Sequence, residues 1–135
     1  MTNKEQQPIF PQGDKASADY FTGNAWIKLL VDEKEFNTVI GNVIFEPGAR
    51  NNWHTHPAGQ ILIVTDGIGY YQEKGKPIQL IQRGDVIKIA PDVKHWHGAS
   101  PDSELTHIAI TATTSKGAVD WQERVTDEEY NSYKQ

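Results

Sequence analysis

Short apolar stretches follow one another along the centre of the chain, between residues 25 and 113. Each is rich in Val, Ile, Leu or aromatic residues and ends at Gly, Pro or Asp, which is the pattern of β-strands separated by turns. The predicted strands are 25–31, 38–46, 60–65, 69–74, 77–82, 85–90 and 104–113. Because no long helical pattern separates these short strands, they favour an all-β fold, an antiparallel sandwich or barrel.

The two ends of the chain differ from this centre. Residues 1–19 are polar and include Pro8, Pro11 and Gly13, which predicts an extended arm or a loose terminus. After residue 115 the strand pattern stops, and Thr126 and Glu129 have the spacing of a capping box, which predicts a short helix. The expected organisation is an arm over 1–19, one barrel domain over 20–115 and a tail with a short helix over 116–135.

Composition narrows the class of protein. The chain has 135 residues, a net charge of −5 without a basic block, and no cysteine. This balance argues against a nucleic-acid partner, and the missing cysteines exclude disulfides, zinc fingers and thiolate nucleophiles. The sequence shows neither a bilayer-spanning apolar run nor the apolar core of a secretory signal. We therefore expect a cytoplasmic protein that acts on or binds a small molecule, without a membrane partner.

All five histidines lie in the β-rich region. His54 and His56 are two residues apart, as are His95 and His97, and His107 lies in the last long strand. Because residues i and i+2 of a strand share a face, each pair can aim two imidazoles at one point, and imidazole is the commonest metal ligand. The two pairs favour a metal site over the alternative, which is that these are ordinary buried histidines. The sequence leaves open whether His107 faces the same cavity.

The stretch around the first pair resembles a known motif. "GARNNWHTHPAGQILIVTDG" spaces Gly48, His54, His56, Gln60 and Gly67 as the first cupin motif spaces its glycines and ligands. The usual residue at the position of Gln60 in that motif is Glu. This chain therefore resembles the cupins, with an amide in place of a carboxylate.

The stretch around the second pair also resembles a cupin motif. "GDVIKIAPDVKHWHGA" begins at Gly84 and carries His95 at the histidine of the second motif, but Ala90 and Asp92 replace its usual Pro and Gly. The segments "FEPGAR", "WHTHP", "KHWHGA" and "THIAI" are similar to those of small single-domain, manganese-dependent cupins. That group includes bacterial hydroxynitrile lyases, and it also has glutamine at the fourth ligand position.

The resemblance implies a single cupin barrel, that is, a jelly-roll-like double-stranded β-helix that binds one divalent transition metal per chain. The metal expected from the resemblance is Mn, with Fe, Ni, Co or Zn left open. The implied metal ligands are His54, His56, Gln60 and His95. The resemblance further implies that His97 and His107 line the cavity, where a neutral imidazole can act as the catalytic general base.

The reaction that the resemblance implies is lyase chemistry, the cleavage of a cyanohydrin to an aldehyde and cyanide. Replacing the carboxylate by the Gln60 amide raises the formal charge of a divalent site from +1 to +2 and favours Lewis-acid chemistry. Two alternatives stay open, a cupin dioxygenase that uses O2 and a non-catalytic module that binds a metal or a small molecule. Small cupins commonly associate through one sheet, so a homodimer or homotetramer is expected.

Overall fold

β-strands make up most of the regular structure in the computed structural model, which describes residues 8–134. The described strands are β1 (Asp14–Lys15), β2 (Phe21–Thr22), β3 (Ala25–Val31), β4 (Thr38–Phe45), β5 (Arg50–Asn51), β6 (His54–Thr55), β7 (Gln60–Glu73), β8 (Gln79–Gln82), β9 (Val86–Ile89), β10 (His95–Ala99), β11 (Leu105–Ala112) and β12 (Asp120–Trp121). A 3-10 turn covers Lys34–Phe36, and helix α1 covers Asp127–Tyr130. Residues 1–7 of the predicted arm lie outside the described residues. In residues 8–134, no helix has the length and apolar character needed to cross a membrane.

All strand pairs are antiparallel, and they form a sheet that curls into a barrel. The main hydrogen-bonded order is β1-β3-β4-β11-β7-β10-β5-β2. Strand β7 also pairs with β8 and β9, and β6 pairs with β10 and β12. This architecture confirms the all-β antiparallel barrel expected from the sequence.

Strand β7 is longer than the sequence predicts. The Asp66-Gly67 turn signal led us to expect two strands, 60–65 and 69–74, but one strand runs from Gln60 to Glu73. Gly67 lies inside it with φ +84°, and a Cβ there would overlap the backbone of Glu104. Gly67 pairs with Leu105 and does not end the strand, and the register against β11 shifts next to it, where Thr65 has no partner. As a result, the first half of β7 pairs with β9 and the second half with β8.

Two apolar clusters hold the barrel together. The larger lies inside it and includes Phe45, Leu62 and Leu105, all fully buried. The smaller lies on the opposite side of β10 and includes Trp53 and Trp96, which pack beside helix α1. The two tryptophans next to the histidine pairs are therefore core residues. Each histidine pair points into the barrel while its neighbouring tryptophan points away, as strand alternation requires.

The C-terminal helix is short but well anchored. Thr126 is its N-cap and forms the predicted capping box with Glu129. The buried Arg50 guanidinium donates hydrogen bonds to the Val125 carbonyl (3.0 Å) and to Asp127 (2.7 Å). It also lies over the Tyr130 ring, 4.6 Å from its centroid. These contacts fasten the C-terminal segment to β5, so Arg50 has a structural role here.

Candidate metal centre

Three imidazoles gather where β6 meets β10. His54 and His95 are direct cross-strand partners, with ring centroids 4.2 Å apart. His56 follows β6, and its ring lies 4.9 Å from that of His54 and 5.3 Å from that of His95. All three side chains are buried. The strand pairing thus brings together residues separated by some forty positions in sequence.

The hydrogen bonds of these three rings fix which nitrogen is free. Nδ1 of His54 lies 2.7 Å from the carbonyl oxygen of Asn52, and Nδ1 of His95 lies 2.9 Å from that of Val93. Nδ1 of His56 lies 2.8 Å from the carbonyl oxygen of Ala118. A carbonyl only accepts, so each Nδ1 carries the proton and donates it. Each Nε2 therefore keeps its lone pair, which is the arrangement that orients metal-ligating histidines.

The fourth predicted ligand supplies an oxygen. The Nε2 amide of Gln60 donates to the hydroxyl of Thr111 at 2.9 Å. Its carbonyl oxygen is buried and has no hydrogen-bond partner among the described residues, and the same is true of Nε2 in His56 and His95. Buried polar atoms normally find partners. Three orphaned acceptors in one place fit a divalent metal held by nitrogen and oxygen.

His97 offers a second combination of ligands. Ligand nitrogens of His54, His95 and His97 all lie within 4.8 Å of one another. However, Nδ1 of His97 is 3.1 Å from Nε2 of His107, and the Asn51 amide lies 3.3 Å from its ring nitrogens. Because His97 already has these partners while Nε2 of His56 has none, the hydrogen bonding favours His56 as the third nitrogen ligand.

His97 and His107 form a separate pair beside the three rings. His107 lies on the inward face of β11 with Leu105 and Thr111, which answers the question that the sequence left open. The side-chain oxygen of Asn51 accepts from the backbone N–H of His97 at 3.0 Å, so its amide group must point at the ring. The pair is thus held in place from both β5 and β11.

Burial keeps all five imidazoles neutral near pH 7. Desolvation lowers the pKa of His95 and of His107 to about 4. It also lowers the pKa of His54 and His97 well below the usual value, helped by neighbouring imidazoles, and that of His56 to a smaller extent. Neutral imidazoles are both the form that binds a metal and the form that accepts a proton.

An apolar cavity of about 190 Å³ opens onto four of these imidazoles, those of His54, His56, His97 and His107. Its polar lining comes from Asn51, His54, His56, Gln60, His97, His107 and Thr111. Its apolar wall includes Phe21, Ile27, Val43 and Phe45 from the barrel. An apolar cavity of ~150 Å³ is known to hold benzene. A single-ring or short aliphatic substrate with one polar end fits this chemistry.

The segment predicted as a tail builds part of the site. Ala118, Val119 and Trp121 line the cavity, and the Trp121 ring lies 4.7 Å from that of His54. Strand β12 brings them there by pairing with β6. These residues are not predicted from the sequence, because a two-residue strand and a backbone carbonyl have no characteristic sequence pattern. The tryptophan in an otherwise polar stretch was the one available signal.

The departure from the second cupin motif leaves the turn intact. Asp92 takes the left-handed conformation (φ +64°) at the position where the motif usually has glycine. Aspartate tolerates this region better than most residues. The Asp92 N–H donates to the His56 carbonyl at 3.0 Å. The turn before His95 is therefore bonded directly to the first motif.

Comparison with known proteins decides the family, since a model of the cupin domain matches residues 41–111, slightly more than half of the chain. The chain belongs to the cupin family. The (R)-mandelonitrile lyase of Granulicella tundricola is 50% identical to this cupin over 117 residues, which cover 86% of this chain and 89% of that protein.

Solved structures agree with this assignment. A cupin-like protein from Thermotoga maritima is 52% identical, with a TM-score of 0.90 over 94% of this chain and 98% of that one. A DMSP lyase from Ruegeria pomeroyi is 18% identical, with a TM-score of 0.63 over 85% of this chain and 59% of that one. The second similarity concerns the fold alone.

Proposed function

We propose that this cupin is a metal-dependent hydroxynitrile lyase that cleaves a small cyanohydrin to an aldehyde and hydrogen cyanide. The observation that carries the proposal is the set of free acceptors beside an apolar cavity: His54, His56 and His95 with Nδ1 bonded to carbonyls, and the unpartnered Gln60 oxygen. The 50% identity to a protein named (R)-mandelonitrile lyase supports the reaction class.

The metal proposed for these four ligands is a divalent transition metal, with Mn favoured. When bound, it supplies Lewis acidity toward a hydroxyl oxygen placed next to it. The donor set has no negative charge, because all three imidazoles are neutral and Gln60 is an amide. A neutral set retains the full positive charge of the ion, which favours polarisation of an oxygen over oxidation by O2.

The His97–His107 pair is placed to handle the proton. In the proposed reaction, His97 or His107 accepts the proton of the cyanohydrin hydroxyl, which is possible because both rings are neutral. The bond between the carbinol carbon and the nitrile carbon then breaks, and its electron pair leaves with cyanide while the C=O bond forms. The protonated pair returns the proton to cyanide. Their 3.1 Å contact lets the two rings share that proton.

The apolar wall determines which substrates enter. The cavity holds an aromatic ring or short alkyl group against Phe45, Val43 and Trp121 while the hydroxyl and nitrile lie toward the histidines. No lysine or arginine lines the described cavity, so a phosphorylated substrate is disfavoured. Mandelonitrile, an uncharged cyanohydrin with one ring, is the appropriate probe.

The test compares variants in metal content and in mandelonitrile cleavage. We expect His54→Ala and Gln60→Ala to lose metal and activity together, and His107→Phe to retain metal while losing most activity. Gln82→Ala is the matched control, since Gln82 is exposed on β8, far from the cavity. Full cleavage by His107→Phe would remove His107 from the mechanism. O2 consumption without cleavage would favour a dioxygenase, and metal uptake without either activity would favour a binding module.

A further inference from the structure

Thr111 is the direct cross-strand partner of Gln60. The two residues face each other in the β7–β11 pair, both are buried, and both line the cavity. The Gln60 amide nitrogen donates to the Thr111 hydroxyl at 2.9 Å, and no other hydrogen bond of this amide occurs among the described residues. One hydroxyl therefore holds the end of this side chain.

An amide is a metal ligand only in one of its two orientations. Its oxygen attracts a cation, whereas its NH2 group would point two positive hydrogens at the ion. A half-turn of the amide exchanges the two ends with almost no change of shape. A carboxylate at this position would not have this difficulty, because both of its ends are oxygen. A glutamine ligand is therefore stabilised by a partner that accepts from its NH2 group while its oxygen faces the ion, and the Thr111 hydroxyl accepts in this way.

We propose that Thr111 is a positioning residue for the metal: by accepting from the Gln60 NH2 group, its hydroxyl aims the amide oxygen at the three histidines and raises metal affinity. The inference rests on the metal site of the proposed function and adds a residue to it. Thr111 contacts the ligand rather than the ion, as the carbonyls of Asn52, Val93 and Ala118 do for the histidines.

The first test measures Mn(II) affinity by calorimetric titration of the metal-free protein, with the Mn(II) electron paramagnetic resonance spectrum as a second readout. Thr111→Val removes the hydroxyl and keeps the shape, and we expect it to weaken binding by about 10- to 100-fold, the usual effect of losing a partner of a metal ligand. Thr111→Ser restores the hydroxyl and should restore most of the affinity. Thr106→Val, on the outer face of the same strand, is the matched control.

A second test separates orientation from general damage to the site. In a Gln60→Glu background both ends of the side chain are oxygen, so Thr111→Val should cost much less affinity than it does beside Gln60. An equal loss in the two backgrounds, or a Thr111→Val protein that binds Mn(II) like the wild type, would overturn the inference and leave the proposed function standing. If Thr111→Val does not fold, Thr111→Ala serves the same comparison. A wild-type protein that binds no Mn(II) would overturn both.

Discussion

Arg50 is expected to contribute more to stability than any ion pair at the protein surface. It connects β5 to the C-terminal segment through the Val125 carbonyl, the Asp127 carboxylate and the Tyr130 ring. Replacing it by alanine removes all three contacts and leaves the buried Val125 carbonyl without this donor. The three contacts differ in strength, so the structure predicts which one dominates.

The ion pair is the weakest of the three contacts. The Asp127 side chain is 88% exposed, and solvent screening limits such a pair to about 1 kcal/mol or less. A hydrogen bond from a buried charged group to a carbonyl contributes about 1.5–3 kcal/mol. The guanidinium over a partly buried tyrosine adds about 1 kcal/mol. We therefore expect Arg50→Ala to lower the free energy of unfolding by about 3 kcal/mol or more, and Asp127→Ala by less than about 1 kcal/mol.

Urea unfolding of the metal-free proteins, followed by tryptophan fluorescence, measures both values. Arg50→Lys should recover part of the loss, because lysine keeps a positive charge that can donate but lacks the planar guanidinium that lies over the Tyr130 ring. Equal losses in Arg50→Ala and Asp127→Ala would refute the reasoning, since they would show that the exposed ion pair accounts for the whole effect.

The remaining predictions concern acid stability, packing and assembly. Burial lowers the pKa of His107 from 6.5 to about 4, so the unfolded chain binds a proton at this histidine before the folded chain does. As the pH falls from 6.5 to 4, this group should therefore lower the free energy of unfolding of the metal-free protein by about 3 kcal/mol. Urea titrations at several pH values should show a weaker pH dependence of that free energy for His107→Leu. A Cβ at Gly98 would overlap the backbone of Ala49, whereas a Cβ at Gly41 would make only ordinary van der Waals contacts. Gly98→Ala should therefore lower the free energy of unfolding by about 1–3 kcal/mol, and Gly41→Ala should lower it far less, as measured by thermal unfolding. Val86 and Ile61 lie on the outer face of the sheet and are 55% and 41% exposed. If the expected dimer or tetramer forms through this face, Val86→Lys should be a monomer by light scattering. An unchanged molar mass would exclude this face as the subunit interface.

Much of the fold follows from local pattern. Strand β3 has the predicted bounds, β4 is one residue shorter at its end, and β9 and β11 are each one residue shorter at both ends. Each of these strands is continuous and apolar between clear turn signals. Strand β7 was predicted wrongly as two strands because Gly67, usually a turn residue, is paired here with Leu105 of β11, far away in sequence. Local pattern does not record such a partner.

The candidate site was likewise predicted only in part from local sequence pattern. The i, i+2 spacing of the histidines predicted two rings on one face, and the structure places His95 and His97 accordingly on β10. The partners that orient the rings are backbone carbonyls, such as that of Ala118, which any residue type can provide. The proposed role of Thr111 follows only from the register of β7 and β11, which places it opposite Gln60. The residues proposed as ligands have a sequence signal, and the residues that position them largely do not.

The central claim is that metal binding and cyanohydrin cleavage occur at one site. The most direct measurement titrates the metal-free protein with Mn(II) and follows mandelonitrile cleavage at each step, with His54→Ala treated in parallel. We expect activity to rise from near zero and to reach a plateau at about one metal ion per chain, and we expect His54→Ala to stay inactive. Cleavage at full rate by the metal-free protein, or saturation with Mn(II) without any cleavage, would contradict it.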